Sequence, residues 1–136
     1  MTVEVTVGSI TEEFGAPSFV HSFFSTISVH CEPNGWGSRL PHLMNELYQG
    51  RLPHMNALPA LAELRLAKAT LDDLPPSSVV WDIENRQSIP PWGNDISAHI
   101  TSLGNYFVSS IGLDVFQVLE CVLAASAEEH QDVVLQ

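Results

Sequence analysis

Apolar residues along the chain change their period several times, and each period names an element. Val3, Val5 and Val7 alternate with Thr2, Glu4 and Thr6 over residues 2–7. That is the pattern of a half-buried strand, and Gly8-Ser9 ends it. Residues 10–16 read as a turn, after which Pro17 suits the first position of a helix. Phe19, Phe23, Phe24, Ile27 and Cys31 then fall at helical spacing to about residue 31, although Ser25–Val29 is β-branched enough for a strand. Residues 32–37, EPNGWG, form a loop. Ser38 suits an N-cap before the stripe Leu40, Leu43, Met44 and Leu47, with Gly50 placed as a terminating glycine. Asn56 caps a further helix with Leu58, Leu61, Leu64 and Leu71 on its face, and Pro75-Pro76 stops it by about residue 74.

The second half of the chain is read in the same way. Residues 78–84 predict a strand with Val79, Trp81 and Ile83 on one side and Val80, Asp82 and Glu84 on the other. Residues 85–97 form a loop around Pro90-Pro91-Trp92-Gly93, and residues 105–111 predict a third strand. Asp114 caps the last helix, with Gln117 placed for a capping box and Leu113 for a staple onto Val118. The helix carries the stripe Val115, Phe116, Val118, Leu119, Val122 and Leu123, and the polar tail after about residue 129 frays. The expected fold is therefore α+β: one domain over residues 1–136, a small sheet of about three strands and about four helices covering it. No repeat, low-complexity segment or linker interrupts it.

Charge narrows the function classes. Sixteen acidic residues stand against five basic ones, a formal net charge of −11. Nucleic acid is an improbable partner, because phosphate contacts need clustered Lys and Arg. An anionic membrane surface is excluded on the same ground. The N-terminus lacks a basic, apolar leader pattern, so the cytoplasm is the expected location. Cys31 and Cys121 are expected to be reduced thiols there.

Motifs for chemistry are weak. Gly35-Trp36-Gly37 resembles the start of a dinucleotide loop but lacks its third glycine and its preceding strand, and a capping loop is the better reading. Six histidines make no HExxH or zinc-finger spacing. His42 and Glu46 are four apart on one helix, a pairing that mostly decorates a helix surface, so no metal and no cofactor is expected. Asp82 and Glu84 share one face of a predicted strand, a solvated acidic face more readily than an acid–base couple. Asp72-Asp73 sits unfavourably in the last turn of a helix, which suggests that the helix ends earlier. Trp81 suits the core, whereas Trp36 and Trp92 precede glycines in loops and suit either interface anchors or plugs over the core edge.

Taken together, HSFFSTIS (21–28), WGSRLPHLMNELYQG (36–50), PPSSVVWDIEN (75–85), PPWG (90–93) and NYFV (105–108) resemble the immunity protein 70 family over about residues 3–128. The resemblance implies a non-enzymatic partner for a toxin domain of a bacterial polymorphic toxin or contact-dependent inhibition system. The acidic composition suits a basic toxin such as a nuclease, through complementary field and a steered on-rate. The expected toxin-binding residues are Trp36, Asp82, Glu84, Trp92 and Asp95, with the cognate toxin's C-terminal domain as partner. Two alternatives stay open: a small hydrolase using Asp82 and Glu84, and an oligomeric scaffold or regulatory module.

Overall fold

In a computed structural model of the chain, which describes residues 2–93, 95–109 and 112–136, the opening alternation forms strand β1 (Val3–Val7). The segment read as a turn is instead a second strand, β2 (Ile10–Gly15), antiparallel to β1 with Val7 opposite Ile10. A two-residue loop joins them. Gly8 takes φ 57° at its first position, the placement that matches the twist of a tight hairpin. The tandem acids Glu12 and Glu13 hide the alternation of β2 in the sequence, but Phe14 is buried beneath it.

Helix α1 (Pro17–Cys31) starts at the proline and ends beside the loop, as its spacing predicts. The next stripe keeps its burial but not its geometry. Leu40, Leu43, Met44 and Leu47 are all fully buried, yet the helix runs only from His42 to Leu47 and is a π-helix, with the Tyr48 amide donating to the Leu43 carbonyl. Ser38 does not cap it; its hydroxyl donates back to the Gly35 carbonyl. Arg51–Leu52 form the short strand β3. Helix α2 (Ala57–Asp72) follows, with Leu61, Leu64 and Leu71 buried, whereas Leu58 stands in solvent. Asn56 spends its side chain on the Glu46 carboxylate rather than on the helix amides. Asp72 in the last turn is paired with Lys68 one turn back, which offsets its unfavourable position.

Neither predicted strand of the second half forms. Pro76–Ser78 is a 3₁₀ turn followed by irregular chain, and Leu103–Asn105 is another, after which Val108 makes a single bridge to Asp114. Residues 110 and 111 of that predicted strand lie outside the described residues. Helix α3 (Val115–Glu129) carries the expected buried stripe, with the Asp114 carboxylate accepting from the Phe116 amide.

The tail does not fray. His130 takes the left-handed conformation (φ 57°, ψ 43°), turns the chain, and sends it into strand β4 (Val133–Leu135). β4 is an inner strand: the sheet order is β2-β1-β4-β3, all antiparallel. Its register sets Val5 opposite Leu135, with Val7 and Leu52 both opposite Val133, so these five buried residues share the face toward the helices. The molecule is thus a four-stranded antiparallel sheet with about four helices, an α+β domain with one more strand than the pattern predicts. Among the described residues, no helix is long and apolar enough to cross a membrane.

Removing residues 131–136 takes the shared partner of β1 and β3. Two buried side chains, each contributing roughly 1.5–3 kcal/mol, leave with it. The shortened chain is expected to lose cooperative thermal unfolding, or to melt well below the full chain by circular dichroism. Equal melting temperatures would show that the sheet closes without β4.

Candidate functional site

The segment read as a strand, residues 78–83, lies along α1, and side chains of that helix take the place of a neighbouring strand. The Ser22 and Thr26 hydroxyls donate to the Val80 carbonyl at 2.9 and 3.1 Å, and the Val80 amide donates to the Thr26 oxygen at 3.0 Å. The Ile83 amide donates to the Ser25 oxygen, and His30 Nε2 donates to the Ser78 carbonyl at 2.8 Å. Buried backbone groups need partners, and here hydroxyls supply them. Among the described residues, no buried side-chain polar atom is left without a partner.

This strap delivers Asp82 to the surface beside His21. Asp82 Oδ1 lies 3.0 Å from His21 Nε2, and His21 Nδ1 lies 2.7 Å from the Tyr48 hydroxyl. An ionised carboxylate only accepts, so Nε2 carries the proton. In the neutral ring Nδ1 then accepts from the Tyr48 hydroxyl. The Tyr48 ring in turn meets Trp36 edge-on at 5.1 Å, and the Trp36 indole N–H donates to the Met44 carbonyl. Trp36, Asp82 and Glu84 therefore belong to one neighbourhood, linked by two residues with no assigned role in the sequence reading, His21 and Tyr48. They stand 27 and 61 positions from their partners, and no spacing rule reaches that far.

Glu84 is not paired with Asp82 across a strand face. Its amide donates to Asp82 Oδ1 at 2.9 Å in a tight turn, and its side chain is exposed. That amide and the His21 ring hold the Asp82 carboxyl below its ordinary value. Burial pushes the Tyr48 phenol up, and the charges of Glu84 and Asp82 push it further. The face is negative, and the phenol stays protonated on it. A hydrolytic acid needs its carboxyl raised, and the lowered Asp82 carboxyl does not suit that role.

Trp92 and Asp95 form a second neighbourhood. The Trp92 indole N–H donates to the Tyr106 hydroxyl at 2.8 Å, and its ring meets Trp81 edge-on at 5.4 Å. Trp81, expected in the core, is only half-buried. The Asp95 amide donates to the Trp92 carbonyl, and both residues line one groove. The two neighbourhoods meet at adjacent residues, Trp81 and Asp82.

A third carboxylate holds the Trp36 loop. Glu32 is 3 % exposed, and its oxygens accept from the amides of Gly37, Arg39 and Leu40 at 2.9–3.0 Å. Glu63 accepts from the next two amides, His42 and Leu43. His42 and Glu46 pair at 2.6 Å, and among the described residues no three His, Cys, Asp or Glu are placed to hold a metal ion.

The sequence model of the family described as Immunity protein 70 matches residues 5–135, nearly the whole chain, and the chain belongs to that family. No curated protein and no solved structure matches it.

Two measurements test the strap. Thr26→Val keeps the shape but leaves the Val80 amide buried without an acceptor, a loss of about 1–3 kcal/mol. Ser22→Ala leaves the Val80 carbonyl its Thr26 donor and is expected to cost less; equal urea midpoints for the two variants would refute the assignment. Asp82 carries the pH dependence. A carboxyl with a depressed folded pKa adds stability above its unfolded value and loses it as pH falls through the folded one. Asp82→Asn should therefore be less stable than the parent at neutral pH, and the difference should shrink as pH falls below the ordinary value of 3.8 and through the lowered folded one. A gap that persists in acid would mean that the Asp82 charge does not carry the difference.

Proposed function

We propose that this member of the immunity protein 70 family binds the toxin domain of its own system and neutralises it by occlusion, in the cytoplasm of the producing cell. The family match over residues 5–135 carries this reading. The partner is the cognate toxin's C-terminal domain in a polymorphic toxin or contact-dependent inhibition system, and a basic nuclease is the class that the charge suits. The contact surface is the face bearing Trp36, Asp82, Glu84, Trp92 and Asp95.

Two features of that face support it. Its aromatics are fixed before any partner arrives, Trp36 by Met44 and Tyr48, Trp92 by Tyr106 and Trp81. Rigid aromatic anchors lose little entropy on binding. Its acids also lack a lysine or arginine partner among the described residues. Arg51, Arg65 and Lys68 pair with Asp132, Glu120 and Asp72, and no lysine or arginine pairs with Asp82, Glu84 or Asp95 among the described residues. A net −11 then steers a basic partner from beyond contact distance.

Expression of the chain should protect cells from the toxin encoded with it and from few others. Association measured by stopped flow should slow at least about tenfold between low salt and about 1 M, where the screening length shrinks to roughly 3 Å, while dissociation changes little. Absence of both protection and a soluble complex would overturn the reading. An association rate flat with salt would remove the electrostatic part of it.

A further inference from the structure

The groove beside Trp92 encloses about 330 Å³, and its character differs from that of its neighbours. Its lining includes the aromatics Phe19, Trp92 and Tyr106 and the apolar Ile96 and Ile100, and Asp95 is the one acidic or basic residue among the described residues that line it. On the far side of Tyr106 a second groove carries Arg86, and a third, at α2 and α3, carries Arg65 and Lys68. The Asp95 carboxylate makes no hydrogen bond or ion pair with another described residue; only its amide is engaged, on the Trp92 carbonyl. Trp92 is 38 % exposed while its N–H is already held by Tyr106. The indole therefore has an open surface and no donor left to satisfy.

We propose that this groove takes an arginine side chain of the partner toxin domain. The proposal rests on the immunity reading above for the source of that arginine. A guanidinium is planar, weakly hydrated and permanently charged. It stacks on an indole face while its N–H fork meets a carboxylate. A lysine ammonium carries the same charge but neither the plane nor the fork. Burial holds the Tyr106 phenol in its neutral form, so the wall adds no competing charge. Asp95 carries the only carboxylate among the described residues that line the groove, so a cation entering it meets one anionic partner.

N-acetyl-arginine amide, titrated into the full chain, tests the groove without the toxin. The three indole N–H resonances are the readout, with the lysine and citrulline amides as controls. The Trp92 resonance, identified by its absence in Trp92→Phe, should move saturably with the arginine amide and less with either control. Asp95→Asn should abolish the movement and leave the Trp36 and Trp81 resonances in place. A Trp92 resonance that stays still, or that moves equally with citrulline, overturns the proposal. Against the toxin domain encoded with the chain, Asp95→Asn should weaken binding at least about tenfold and Asp95→Glu far less. Full affinity in Asp95→Asn overturns the groove assignment and leaves the immunity reading standing. A parent chain that does not bind the toxin domain overturns that reading, and the arginine's source with it.

Discussion

Helix α1 is buried on nearly every side, and that constraint organises the rest of the molecule. Phe23 lies 5.0–5.5 Å from the rings of Phe14, Phe24, Phe107 and Phe116, so one residue joins β2, α1, the segment before α3 and α3 itself. The opposite side of the helix carries Ser22, Ser25 and Thr26, all buried. Helical hydroxyls commonly bond back to their own backbone. Here Ser22 and Thr26 donate outward, to the Val80 carbonyl. The strap runs antiparallel to the helix: Ser78 meets His30 near its end, Val80 meets Thr26 and Ser22, and Asp82 meets His21. The placement of the candidate site thus follows from how a buried polar helix face is covered.

Part of the acidity is structural. Glu32 and Glu63 together accept from five amides between Gly37 and Leu43, in the loop and at the start of the π-helix. Burial pushes the Glu63 carboxyl up while those amides pull it down. Gly37 takes φ 77° against the Asn45 side chain, a position a Cβ would occupy at the cost of a clash. The net charge of −11 therefore overstates what the surface presents, and the local distribution matters more than the total. The acids of the proposed contact surface are those placed beside the aromatics.

The three long helices were legible because a 3.6-residue stripe marks a buried face whatever covers it. The sheet was mostly not. β2 is masked by Glu12 and Glu13. β3 has two residues. β4 has three and follows a left-handed position held by His130, where a glycine would have signalled the turn. The false strands arose from real patterns: Val79–Ile83 is β-branched and apolar, and its backbone does find partners, but those partners are side chains of a helix. Periodicity reports burial and extension, not who supplies the hydrogen bonds. In the candidate site, tryptophans before loop glycines and exposed acids were visible. Their grouping into two neighbourhoods, and the His21–Tyr48 link, exist only in three dimensions.

The absence of a ladder at residues 81–83 also has a consequence for side-chain placement. In a strand, successive side chains point to opposite faces, so Trp81 and Asp82 would be divided between core and solvent. On the strap, Trp81, Asp82 and Ile83 are all half-buried, and Trp81 supports Trp92 while Asp82 engages His21. Irregular chain held by a helix thus gives adjacent positions an aromatic support and a charge, each partly exposed. A regular sheet edge there would expose unpaired amides and carbonyls, a template for unspecific pairing. On the strap, α1 side chains occupy the Val80 amide and carbonyl, the Ile83 amide and the Ser78 carbonyl, which leaves fewer such groups open.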